Sequence, residues 1–209
     1  MDVDVLREAL VSPGHIDEVT FGRALEGAEK DEATSLEDYF VQKGYISDEH
    51  LGKAIADFLE YRYVDLRKNK INEEYLRTLP EVVARAQHAI VFGEEDGVLQ
   101  LASSEADNYE LVKQVEKKTR KIVRVYYTTP SSIAEALKYY KGDLHTQIQA
   151  LIETCTNNQA EGDIVKLVNL FLEYAHDNRA SDIHIEPLSN EILVRFRVDG
   201  VLHRVATYH

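Results

Sequence analysis

Two short runs near the end of the chain leave little choice of local structure. Polar and apolar residues alternate strictly over Asp182-Ile-His-Ile-Glu186, and again over Val194-Arg-Phe-Arg-Val198. A period of two is that of a strand with one buried face. Asp182, His184 and Glu186 then share a face opposite Ile183 and Ile185. Arg195, Arg197 and Asp199 share a face opposite Val194, Phe196 and Val198. The connection Pro187-Leu-Ser-Asn190 suits an antiparallel hairpin. Pairing Glu186 with Glu191 sets Asp182 against Arg195, and a turn two residues longer sets it against Arg197. Both registers face acids with arginines, an arrangement that opposite charges favour. Asp199-Gly200 predicts a second tight turn into a strand over Val201–Val205. Upstream, Asp163 to His176 carries Ile164, Leu167, Val168, Phe171 and Ala175 at helical spacing,. The expected product is a helix over a three-stranded meander, apolar on one face and charged on the other.

The beginning of the chain is helical and repeats. Leu10-Val-x-x-Gly14-x-Ile16 followed by Phe21-x-x-Ala24-Leu25 is echoed by Phe40-Val-x-x-Gly44-x-Ile46 followed by Leu51-x-x-Ala54-Ile55, with the glycines thirty residues apart. Each unit predicts a helix, a left-handed glycine stop and a second helix capped by Asp17 or Ser47. Beyond it, Tyr63 to Leu66 reads as extended, Glu73 to Leu79 as helix, and Pro80 opens a further helix through Ala86. Ala89–Phe92 and Val98–Ala102 flank an Asp96-Gly97 turn and predict a hairpin. Asn108 to Lys118 predicts a helix and Ile122 to Tyr127 a strand. Pro130 starts a helix in which Ser132 and Glu135 fit a capping box and Gly142 is the stop. Leu144 to Ile152 fits a short helix, and the polar stretch Thr154 to Gly162 predicts a linker. The fold class is α+β.

Composition removes several functions. The net charge of −13 over 209 residues opposes a surface that tracks nucleic-acid phosphates, and also docking on anionic lipid,. No apolar run reaches the roughly 18–20 residues of a membrane helix. The acidic start Met1-Asp-Val-Asp-Val5 is unlike a basic signal peptide, so a cytoplasmic location is expected. Cys155, the single cysteine, precludes an internal disulfide and any CxxC site,.

Three chemistries find no support in the motifs. The one Gly-Lys pair, Gly52-Lys53, is followed by Ala54 and has Ser47 where a phosphate-binding loop needs its first glycine,. His184-x-Glu186 is half of a zinc-deaminase signature, whose Pro-Cys-x-x-Cys half is lacking. His203 falls on the apolar side of the meander, away from His184, and no metal site is expected. No Gly-x-Ser-x-Gly elbow occurs.

Ala180-Ser-Asp-Ile-His-Ile-Glu-Pro187 followed by Val194-Arg-Phe-Arg-Val-Asp-Gly200 closely resembles the opening of a small, PAS-like domain in one family. That family is the type II secretion (GspE-like) and type IV pilus assembly (PilB-like) ATPases, which work as hexameric rings. The resemblance implies that Arg195 and Arg197 reach the nucleotide phosphates bound by another domain, supported by Asp182, His184, Glu186 and Asp199. It implies a docking and regulatory domain at 1–142, with tandem helical units over about 3–60 and an α+β part over about 61–142. A linker at 143–162 and the truncated start of the arginine-bearing domain at 163–209 follow. On this reading the chain is not itself an enzyme and holds no cofactor, while its parent uses ATP and magnesium. Its partners are the cytoplasmic domain of an inner-membrane platform protein and other copies in the ring, placing it peripherally at that membrane. A truncated domain implies an open strand edge and apolar surface, with self-association or high mobility after Gly162. The alternatives are a cyclic di-GMP-binding regulatory domain of such an ATPase or a free-standing regulator of the ring.

Relatives with two tandem helical units bind cyclic di-GMP, and Leu10, Gly14, Phe40 and Gly44 fit the skeleton of that motif. The chain departs from the motif's opening Arg-Leu-Gly, with Val5 and Arg7 around Leu6, and Ser35 and Glu37 around Leu36. Ala28 and Phe58 stand where each unit closes on Gln. Loss of the arginines removes the obvious phosphate ligands, and Glu37 repels a phosphate.

Overall fold

Both glycines of the repeat end a helix in the left-handed region, Gly14 at φ +83° and Gly44 at φ +74°, where a side chain would be strained. The computed structural model describes residues 3–31, 35–69, 71–140, 144–158 and 161–208. Its elements begin with α1 (Val3–Leu10), α2 (Glu18–Lys30), α3 (Leu36–Gln42), α4 (Asp48–Phe58), β1 (Arg62–Tyr63), α5 (Glu73–Leu76) and α6 (Glu81–Ala86). Next come β2 (Ala89–Glu95), β3 (Val98–Ser103), α7 (Tyr109–Thr119), β4 (Val123–Tyr127) and α8 (Pro130–Leu137). The chain continues with α9 (Leu144–Asn158), α10 (Glu161–Asp177), β5 (Asp182–Pro187), β6 (Ile192–Val198) and β7 (Val201–Tyr208). They form two compact units, Met1–Asn72 with His88–Ala136, and Glu73–Gln87 with Leu137–His209.

In the first unit the repeat folds as its caps dictate. Asp17 Oδ1 accepts the Thr20 N–H at 2.9 Å and Ser47 Oγ accepts that of His50 at 3.3 Å. Each glycine closes its turn alike, with Gly14 N–H bonding Val11 O at 2.9 Å and Gly44 N–H bonding Val41 O at 3.0 Å. Leu6, Leu10, Phe21, Phe40, Leu51 and Ile55 fill one core with Tyr127 of β4. The sheet runs β1-β4-β3-β2, parallel except for the β2–β3 hairpin. That hairpin turns at Asp96 (φ 52°) and Gly97 (φ 79°), as its sequence predicts,.

Gly52 lies inside α4, where an added Cβ would sit 2.3 Å from the Tyr63 ring and 2.9 Å from Thr129. This glycine permits close helix–strand approach. Asp48, the first residue of α4, accepts from Arg67 at 2.6 Å, Thr129 at 3.0 Å and Ser131 at 2.7 Å, and so fastens the helical array to the sheet part.

Several expectations need correction. The cap of α8 is Thr129, whose Oγ1 accepts the Ser132 N–H at 3.3 Å; Ser132 instead accepts from Leu66 N–H at 2.9 Å. Gly142, expected to stop this helix, lies outside the described residues. The helix expected from Glu73 to Leu79 ends at Leu76, and the stretch expected as a 143–162 linker carries α9 and the first two residues of α10. Residues 73–87 group with the later part of the chain, so the α+β half does not run unbroken over 61–142. Strand β7 continues to Tyr208, three residues past the expected Val205.

The second unit is the helix-and-meander expected, enlarged by α5, α6 and α9. Phe196 of β6 packs edge-on against Phe171, at 6.5 Å between ring centres, and at a tilt against Tyr174, at 5.8 Å. Leu167, Phe171, Tyr174 and Ala175 are buried. Ile164 and Val168, expected on the same face, are exposed, as are Val165, Leu172 and Ile185. Asn178 accepts the Val82 N–H at 2.8 Å and donates to Tyr174 O at 2.8 Å. It therefore caps α6, whose own cap position, Pro80, offers no side-chain oxygen,.

Candidate functional site

The charged face of the β5-β6-β7 sheet is built by one loop and one turn. The loop places Pro187 opposite Ile192 and Asp182 opposite Arg197, the second of the two registers the sequence permits. Asp199 (φ 49°) and Gly200 (φ 86°) make the turn into β7. His184 then faces Arg195, and Phe196 faces His203 on the apolar side.

Each arginine on β6 has a carboxylate. Arg195 Nη2 donates to Glu186 at 2.5 Å, and Arg197 Nε lies 3.1 Å from Asp182 Oδ2. The bond from Arg195 holds the Glu186 carboxyl below the usual range, against a smaller effect of burial. Asp182 also accepts from Ser181 at 2.8 Å, and Arg197 Nη1 approaches Gly200 O at 3.4 Å. His184 Nδ1 is 3.8 Å from Glu186. The side chains of Arg195 and Arg197 are 33% and 37% exposed, so both are tethered yet reachable from solvent. Asp199 serves in the turn and faces neither arginine across the strands.

One residue on this face escaped the motif. Arg204 of β7 stands opposite Arg195. The two-residue Asp199-Gly200 turn fixes this pairing by simple counting, so the signal was present. His203 is buried, and desolvation lowers its pKa despite Asp199 nearby. Among the described residues no group of His, Cys, Asp and Glu is arranged to hold a metal.

The tandem-unit residues are placed differently. Leu10 and Phe40 are fully buried core residues, while Gly14 and Gly44 sit at open turns. A cavity of about 750 Å³ in the first unit is bordered instead by Val5, Ser35, Glu37, Asp38, Glu105 and Asp107, among others. Ser35 is spent as the α3 cap, accepting the Asp38 N–H at 3.2 Å. Glu37 is buried.

Residues 59–147 match the family model of the MshEN domain, and residues 157–209 match that of the type II/IV secretion system protein. The chain is thus similar to the N-terminal region of secretion and pilus-assembly ATPases. Among individual relatives, it is 28% identical to the type IV pilus assembly ATPase PilB of Myxococcus xanthus, over 96% of this chain and 38% of that protein. It is 27% identical to the type II secretion system protein E of Xanthomonas campestris, over 76% of this chain and 31% of the other. The chain thus spans about a third of the length of these relatives. A solved structure of MshE with cdg shares the fold, with a TM-score of 0.50 and 22% identity over 65% of this chain and 97% of that one. No described helix is long and apolar enough to cross a membrane.

Proposed function

We propose that this chain is the non-catalytic front of a traffic ATPase. In this reading the first unit docks the motor on the cytoplasmic part of an inner-membrane platform protein. The arginine face of the second unit closes on the phosphates of ATP and magnesium held by a separate nucleotide-binding domain of the hexamer. The observation that carries the reading is the pair Arg195 and Arg197, side by side on a stiff strand, each oriented by a carboxylate and open to solvent. Guanidinium forks held this way suit phosphoryl oxygens, and a rigid sheet limits the entropy lost on contact. Asp182 and Glu186 position the arginines, and His184 borders Glu186.

A chimera tests this. Residues 1–209 are joined to the nucleotide-binding domain of the Myxococcus relative, and ATP turnover is compared with the Arg195→Ala and Arg197→Ala forms. Each substitution is expected to lower turnover by at least about tenfold, a modest share of what arginine fingers supply. Unchanged turnover in both refutes the assignment.

The second reading is a cyclic di-GMP sensor, favoured by the MshEN match and by the ligand named with the MshE structure. Against it, the helical units over residues 3–58 fall outside the matched span. Carboxylates crowd the cavity beside Val5 and Ser35, where the motif would present arginines. Calorimetry with cyclic di-GMP is expected to show no micromolar binding, and such binding would restore the sensor.

A further inference from the structure

We propose that the space between Arg195 and Arg204 is an anion site for a phosphoryl group. The two residues are directly opposed across β6 and β7, which brings their Cβ atoms to roughly 4.5–5.5 Å, and like charges so placed repel. One carboxylate, Glu186, serves the pair through Arg195 Nη2. Arg204 is exposed and forms no ion pair among the described residues.

Hydrogen bonding is short by the same measure. Arg195 Nε–H is buried without an acceptor among the described residues. Past Arg204 the strand carries a bulge, where Val194 pairs with Ala206 and Val205 is the extra residue. Bulges re-aim neighbouring side chains. Thr207, opposite Leu193 on the same face, has its hydroxyl buried and unpartnered. Two guanidiniums, one carboxylate and two buried donors leave this patch lacking one negative charge and its lone pairs.

A phosphoryl group supplies both, with several oxygens for donors arrayed in different directions. Arg197 is set differently, with its Nε beside Asp182 and its Nη1 toward Gly200 O. A local conflict of this kind is where a sequence bends its own rules for a ligand. The inference rests on the phosphate-facing reading above and adds that Arg204 shares the phosphoryl group with Arg195.

The test uses the 209-residue chain and NMR of arginine Nε–H signals. Sodium tripolyphosphate and inorganic phosphate are titrated at constant ionic strength, with chloride as control. Both phosphates are expected to give a saturable shift at Arg195, with tripolyphosphate tighter if a nucleotide chain is the natural source and equal affinity if free phosphate is. Arg204→Ala should weaken binding about fivefold or more, and Arg204→Lys less. Without phosphate, Arg204→Ala should raise the melting temperature by about 1–3 °C as the repulsion is relieved. Equal shifts by chloride, or none by either phosphate, overturn the site. Binding lost in Arg195→Ala and Arg197→Ala but intact in Arg204→Ala also overturns it, while leaving the two-arginine reading to the chimera.

Discussion

Asn178→Ala measures how much of the second unit hangs on a single amide. Asn178 is 2% exposed; its Oδ1 takes the Val82 N–H and its Nδ2 reaches Tyr174 O, both at 2.8 Å. Truncation leaves the Val82 N–H buried without an acceptor, in the first turn of a helix that has no cap of its own. Loss of a cap that water can replace costs about 1 kcal/mol; here the stranded donor is buried, which raises the cost of the same bond toward about 2–3 kcal/mol. Tyr174 O keeps its bond from Asn178 N–H at 3.0 Å, so its share is small. The expected cost is therefore about 2–3 kcal/mol. Urea unfolding followed by circular dichroism reads this directly: with a slope near 2 kcal/mol/M, the midpoint should fall by about 1–1.5 M. Asn169→Ala, on the exposed side of α10, is the control and should stay within about 0.5 kcal/mol. A fall below about 0.3 M for Asn178→Ala, with unchanged slope, would show that water or a backbone shift replaces the amide.

Two further perturbations probe other parts. Burial lowers the folded pKa of His203 below its ordinary value of 6.5. The unfolded chain therefore takes up the proton first as pH falls, and stability that is complete above about 6.5 declines below it, by up to about 1.4 kcal/mol per pH unit until the folded pKa is reached. Urea midpoints at pH 7.5 and 5.5 should diverge in the native sequence and converge in His203→Phe; equal divergence in both would assign the effect elsewhere. Asp48→Ala strips Arg67, Thr129 and Ser131 of a shared acceptor that is only 15% exposed. It should cost about 2–3 kcal/mol, and amide exchange should quicken at the start of α4. Protection equal to the native level would remove the role assigned to the latch.

The elements legible in the sequence are those set by local signals. Strict alternation gave β5 and β6, the Asp96-Gly97 and Asp199-Gly200 pairs gave both turns, and paired glycines with Asp17 and Ser47 gave the helical repeat. What stayed hidden depends on residues far apart. Asn178 caps a helix 96 positions upstream, and no local pattern marks that. The polar run Thr154–Asn158 resembles a linker by composition, yet it completes α9, whose neighbours are α10 and β7. The β5–β6 loop allowed two registers because either one opposes acids to arginines, and only the paired backbone distinguishes them. Arg204 lies beyond the motif, which ends at Gly200, and only the register counted from the turn sets it opposite Arg195.

The route of the polypeptide between the two units has a practical result. It passes from one to the other at residue 72, returns at 87, and passes over again at 136. A protease that nicks any one of these crossings leaves the halves still joined by the other two. A gene split at residue 142 would strand α5 and α6 on the wrong fragment, parting Val82 from the amide that caps it. Whoever wishes to study the arginine face in isolation must therefore carry residues 73–87 along, reattached by a new loop.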